Sequence, residues 1–118
     1  KDVLTELIIG RAFTVSNALG VGYLEKVYEN ALVLELREAG LRVEQQKPVP
    51  VNYKGTIVGD YVADLIVEGV VILEIKAASG IEGSHHAQLL NYLKASGIHT
   101  GLILNFGTTH LGIKRMSL

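Results

Sequence analysis

Tyr61-Val62-Ala63-Asp64-Leu65-Ile66-Val67-Glu68-Gly69-Val70-Val71-Ile72-Leu73-Glu74-Ile75-Lys76-Ala77 is the stretch on which the reading of this chain turns. It holds two apolar runs rich in β-branched residues, and Glu68-Gly69 between them is turn chemistry. The pattern predicts a hairpin made of strands 57–67 and 70–77. Three polar groups interrupt it: Asp64, Glu74 and Lys76. Side chains alternate along a strand, so Glu74 and Lys76 point the same way. Charges in a central strand are costly unless they are paired or ligated.

Register decides what these groups can do together. A two-residue turn at 68–69 pairs Asp64 with Leu73 and sends Asp64 and Glu74 to opposite faces. A three-residue loop at 68–70, or a bulge near Asp64, sets Asp64 against Glu74. In the second arrangement the two carboxylates can share a hard divalent cation through oxygen ligands. Lys76 would then polarise a water or steady a developing charge. The competing reading is a structural ion pair, or a strand end that reaches solvent. The pattern alone does not separate the two.

Upstream, the period is helical. Leu4, Leu7, Ile8, Ala12 and Val15 recur at helix spacing, Gly20 and Gly22 interrupt, and a second helix is predicted from Tyr23 to Ala39 with Gly40 as its stop. Glu25 lies on the side of Tyr28, Glu29, Leu32 and Leu36, at the border of the buried stripe. Taken alone, it reads as a first-turn carboxylate that favours the helix dipole. Val49, Val51 and Tyr53 alternate with Pro48, Pro50 and Asn52, which predicts a strand at an edge or with an irregular start. Downstream, a helix is predicted from His85 to Ala95. His85, Gln88 and Tyr92 share one of its faces, and Gln88 could orient a water or a phosphate oxygen. Strands are expected at 102–106 and 111–116. The order ααβββαβ(β) suggests an α/β sandwich.

Composition bounds the chemistry. The 118 residues suit one domain, 1–118, and the 48% hydrophobic content excludes intrinsic disorder. The chain has no cysteine, which excludes disulfides, thiolate metal sites and a cysteine nucleophile, and fits a cytoplasmic setting. A formal charge of −1 disfavours a protein that coats nucleic acid, although Lys47, Lys54, Lys94, Lys114 and Arg115 could line a local groove. No apolar run approaches the ~20 residues of a membrane helix. Gly20-x-Gly22-x-x-Glu25 lacks the last glycine and the preceding strand of a dinucleotide loop, and Gly80-Ile81-Glu82-Gly83 lacks the P-loop lysine. Adjacent His85 and His86 do not face one ion, which disfavours zinc.

Gly22-x-x-Glu25-x-x-Tyr28, Ala63-Asp64-Leu65, Glu74-Ile75-Lys76-Ala77, Ala87-Gln88-Leu89-Leu90-Asn91-Tyr92-Leu93, Asn105-Phe106 and Gly112-Ile113-Lys114-Arg115 occur in this order. Together they resemble the small bacterial GxxExxY proteins of the PD-(D/E)XK nuclease-like superfamily, over nearly the whole chain. The resemblance implies a restriction-endonuclease-like αβββαβ core, with a mixed central sheet flanked by helices. It also implies Mg²⁺ or Mn²⁺ and phosphodiester hydrolysis of nucleic acid. Carried over residue by residue, Asp64, Glu74 and Glu25 would hold metal. Lys76 would activate the nucleophile or stabilise charge, and Gln88 would orient it. The chain departs from the family pattern where Gly20-Val21-Gly22 replaces Gly-Pro-Gly, where Ser16 replaces a histidine, and where Val62 replaces an arginine.

Two functions follow. The first is a metal-dependent nuclease acting on nucleic acid, with DNA the expected substrate ahead of RNA. The second is a catalytically silent module on the same fold, for nucleic-acid binding or protein assembly. A homodimer is expected from the apolar first helix and the exposed edge near Pro48–Tyr53.

Overall fold

The computed structural model describes residues 2–118. The elements run α1 (Val3–Leu19), α2 (Glu25–Glu38), β1 (Val43–Tyr53), β2 (Thr56–Val67), β3 (Val71–Lys76), α3 (Gly83–Ser96), β4 (Thr100–Asn105) and β5 (Gly112–Ser117). The expected order is observed, and the segment at 111–116 is a true strand. One sheet holds all five strands in sequence order. It is mixed, because β3 and β4 pair in parallel while the other neighbours are antiparallel. A parallel pair needs a crossover, and α3 supplies it. The mixed central sheet that the resemblance implies is therefore observed.

Helices cover both faces of the sheet. On one face Ile8, Ala12, Val15, Tyr28, Leu32 and Leu36 of α1 and α2 pack on Leu65, Leu73, Ile75, Leu102 and Leu104. On the other, Leu89, Tyr92 and Leu93 of α3 pack on Val49, Ala63, Ile72 and Ile103. A sheet buried on both sides explains why β3 and β4 read as continuous apolar runs.

The Gly22–Tyr28 signature is built as a joint. Gly20 (φ 70°) and Gly22 (φ 113°) take backbone angles that side chains disfavour, which turns the chain between α1 and α2. Fully buried Tyr28 locks that turn. Its hydroxyl donates to the Gly20 carbonyl (2.6 Å) and accepts from the Tyr23 amide (3.2 Å). Its ring stacks on Phe106 at 4.9 Å, joining α2 to the end of β4.

β1 is an edge strand, as its prolines require. It begins at Val43, six residues before the expected start at Val49. Val43-Glu44-Gln45-Gln46 has little strand propensity of its own. It is held by pairing with Leu65–Val67 of β2, an example of tertiary context overriding local preference.

Candidate active site at the fork between β2 and β3

The β2–β3 ladder contains Val67–Val71, Ile66–Ile72 and Leu65–Leu73. The loop is therefore the three residues Glu68-Gly69-Val70, the register that sets Asp64 opposite Glu74. There the backbone ladder stops and the two strands part. The carboxylates replace the missing partners: Glu74 Oε2 accepts the Asp64 amide at 3.2 Å, and Asp64 Oδ2 accepts the Ile75 amide at 2.7 Å. Each acid is oriented by the other's strand.

β1 and β2 are both deformed at this point. Gln46, level with Asp64, sits in the left-handed region (φ 54°), yet Gln45–Leu65 and Lys47–Ala63 stay in one register. Face alternation reverses across the kink. Val43 and Leu65 pack toward α1 and α2, whereas Val49 and Ala63 pack toward α3. In regular strands each of these pairs would share a face. The kink opens the sheet at Asp64, between the two helical layers.

Burial sets the electrostatics. Glu74 is 3% exposed. Desolvation, reinforced by the charge of Asp64, pushes its pKa up from 4.5 to about 8, although the Asp64 amide and Lys76 oppose the shift. Asp64, half-buried, is raised in the same direction, chiefly by desolvation. Two hard oxygen donors whose charges oppose each other in a desolvated fork form a donor set that a divalent cation would relieve. Among the described residues, no three His, Asp or Glu side chains are gathered closely enough to hold one ion. The fit is therefore a two-carboxylate one. Magnesium is commonly bound through one or two carboxylates, with water and phosphate completing its shell.

Lys76 leaves β3 two residues after Glu74 and favours the charged form of both acids. Its Nζ donates to Gln88 Oε1 at 3.3 Å, and Gln88 Nε2 donates to the Tyr92 hydroxyl at 3.2 Å. Asp64, Glu74, Lys76 and Gln88 are thus brought together. His85, on the same helix, instead turns back to cap α3, with Nδ1 accepting the Glu82 amide at 3.1 Å.

Glu25 is not brought to this group. It is the exposed first residue of α2 and makes no hydrogen bond or ion pair within the described residues. The helix acid that reaches the fork is Glu29, 3% exposed. Its carboxylate takes the amides of Gln45 (2.7 Å) and Gln46 (3.0 Å) and the Lys26 ammonium (3.1 Å). Gln46 Nε2 also approaches Asp64 Oδ1 at 3.4 Å, linking the two acids. Four residues turn a helix by about 400°, so Glu25 and Glu29 share a side. Glu25 lies one turn nearer the helix end, where its side chain reaches solvent. Glu29, Gln45 and Gln46 are the site neighbours that sequence reasoning missed. The signal was a carboxylate between Tyr28 and Leu32 in the buried stripe, with paired amides in the facing strand.

Behind the fork, Asn105 secures the strand ends. Its Oδ1 accepts the Ala78 and Gly107 amides (2.9 and 3.1 Å), and its Nδ2 donates to the Ala78 carbonyl (3.0 Å). This side-chain bridge holds the exit of β3, just beyond Lys76, against the exit of β4.

No curated protein sequence matches the chain significantly. Among solved structures, the crystal structure of SSO0001 resembles it with a TM-score of 0.60 at 21% identity, over 96% of this chain and 56% of that one. The chain therefore spans little more than half the length of that protein, and at this identity the likeness concerns the fold. The sequence itself matches the PD-(D/E)XK nuclease superfamily over residues 2–116. With that match and the restriction-endonuclease-like sheet around Asp64, Glu74 and Lys76, the chain belongs to the PD-(D/E)XK nuclease superfamily.

Proposed function

We propose that this chain is a Mg²⁺- or Mn²⁺-dependent nuclease of the GxxExxY type, hydrolysing phosphodiester bonds at the β2–β3 fork. The observation that carries the reading is the facing pair Asp64 and Glu74, each held by the opposite strand, with Lys76 alongside. Asp64 and Glu74 are the proposed ligands. Bound there, a divalent cation would lower the pKa of a water and neutralise charge on the phosphate. Lys76 steadies the negative charge that develops at phosphorus or on the attacking oxygen. Gln88 holds the Lys76 ammonium and presents its amide to water or phosphate oxygen. Glu29 and Gln46 fix the angle of Asp64 without touching substrate. Glu25 has no place in this ligand set, and its first-turn position suits the helix dipole.

The substrate is nucleic acid, with DNA preferred, and the setting is a reducing one such as the cytoplasm. A homodimer through the β1–β2 arm belongs to the same proposal. That arm carries exposed Tyr53, Ile57 and Val58, and apolar clusters of this kind favour association. No described helix is long and apolar enough to cross a membrane.

The test is cleavage of labelled single- and double-stranded oligonucleotides in Mn²⁺ or Mg²⁺. Activity should vanish in chelator and in Glu74→Gln, and fall by about 100-fold or more in Lys76→Ala. Salt-dependent binding without cleavage under all these conditions would instead assign the chain to the non-catalytic class.

A further inference from the structure

A groove of about 470 Å³ lies between the β1–β2 arm and α3, lined by Val51, Asn52, Tyr61, Asn91, Lys94 and Ala95. The size suits a small ligand group. Three features point to its occupant. First, it contains an exposed aromatic ring in a fixed attitude. Tyr61 is 43% exposed, and its ring stands edge-on to buried Tyr92 at 5.3 Å and 71°. Second, its one charged lining group is the Lys94 ammonium, which forms no ion pair among the described residues. By contrast, the clefts near Arg42 and Lys47 include Glu44, and the one near His99 includes Asp2. Third, Asn52 and Asn91 add exposed amides that can both donate and accept.

A chain of side-chain contacts also links the groove to the acid pair. The contacts run from Lys76 to Gln88, from Gln88 to Tyr92, and from Tyr92 to Tyr61. Asn91 follows Gln88 by about one helical turn. Lys94 follows by six residues, about 9 Å along the axis.

A flat aromatic face, an unpaired cation and bifunctional amides beside a phosphodiester site match the chemistry of an unpaired nucleotide. A base can stack on a tyrosine, a phosphate can meet a lysine, and base edges can meet amides. Bases inside a duplex are stacked on each other and cannot offer a face to Tyr61. We propose that this groove is a stacking subsite for an unpaired base of a nucleic-acid strand whose neighbouring phosphodiester lies at Asp64 and Glu74. The proposal rests on the nuclease reading for its direction along the strand. It makes the preferred substrate one that is single-stranded at the groove.

The experiment separates the two readings. Fluorescence anisotropy of labelled oligothymidylate and oligouridylate, in chelator so that nothing is cut, reads the groove. Hydrolysis of bis(p-nitrophenyl) phosphate in Mn²⁺, a substrate too small to need the groove, reads the acid pair. Tyr61→Ala should weaken oligonucleotide binding by about 5- to 150-fold. Tyr61→Leu, which retains apolar packing on Tyr92, should weaken it similarly, whereas Tyr61→Phe should not. Lys94→Ala should lower affinity and flatten its salt dependence. Duplex binding should be indifferent to Tyr61→Ala, as should hydrolysis of the small diester. A loss confined to one oligonucleotide supports the subsite and names the strand it prefers. Equal binding by wild type, Tyr61→Ala and Tyr61→Leu overturns the subsite and leaves the nuclease reading intact. No turnover of the small diester in Mn²⁺ and no oligonucleotide cleavage in the test given above, with the Tyr61 effect on binding retained, removes the nuclease reading and leaves the stacking groove.

Discussion

Glu74→Gln should make the metal-free protein more stable at pH 8 while changing little at pH 5. In the folded chain, burial and the neighbouring Asp64 charge raise Glu74 from 4.5 to about 8. Below pH 4.5 the acid is protonated whether the chain is folded or unfolded. Between 4.5 and 8 the unfolded chain loses this proton and the folded chain keeps it, so stability falls as pH rises. Each pH unit is worth 1.36 kcal/mol for one proton, so the full interval amounts to about 5 kcal/mol. Asp64 is shifted in the same direction and steepens the decline. Half-buried Asp2 and Glu68 are lowered by their hydrogen bonds, so their effect is lost on acidification, below this window. A domain of this size holds only about 5–15 kcal/mol in total, so the effect should dominate its pH profile.

Glutamine retains the shape of Glu74 and an oxygen for the Asp64 amide, and it has no proton to lose. Urea unfolding followed by circular dichroism, from pH 5 to 8.5 in chelator, should give a falling curve for wild type and a much flatter one for Glu74→Gln. Manganese at 100 times its dissociation constant should add about 2.7 kcal/mol to wild type at pH 8, and far less to the variant. Parallel pH curves for the two proteins, or a wild-type stability that rises toward pH 8, would refute the argument.

Three further outcomes test the surrounding structure. Glu29→Gln should flatten the same pH curve, because the Glu29 charge raises both Asp64 and Glu74; urea melts at pH 6 and 8 check this. Tyr28→Phe should cost about 0.5–1.5 kcal/mol in thermal or urea unfolding, since it removes the 2.6 Å bond to the Gly20 carbonyl, which water can reach, while sparing the stack on Phe106. Gly107→Ala should cost at least about 1–3 kcal/mol, because an added Cβ would fall 2.3 Å from the Ala78 carbonyl oxygen and 2.6 Å from the Ala77 carbonyl carbon. The backbone there is held by Asn105 and cannot easily yield.

Much of this arrangement was legible before any coordinates. Helix and strand periods are local, and the change from a 3.6-residue repeat to the 2-residue alternation seen from Val49 marks the passage from helices to sheet, although the strand itself begins at Val43. Asp64, Glu74 and Lys76 were conspicuous because charge inside an apolar strand demands a partner. Gln88 and Tyr92 shared a face because they are four residues apart on a helix, and a hydrogen bond of 3.2 Å now joins them. Glu25 misled for an equally physical reason. Periodicity gives the angle of a side chain around a helix but not its height relative to the sheet, and one turn separates solvent from the fork.

The sequence by itself determined the element order, the two apolar layers and the presence of two acids and an amine on adjoining strands. These depend on spacing along one chain. Only the tertiary structure decided that the β2–β3 loop has three residues, that Gln46 kinks β1 level with Asp64, and that Glu29 is the helix acid at the fork. Those outcomes depend on how strands part and how far a helix overhangs a sheet. Such distances are set by packing between segments distant in sequence, and no local pattern encodes them.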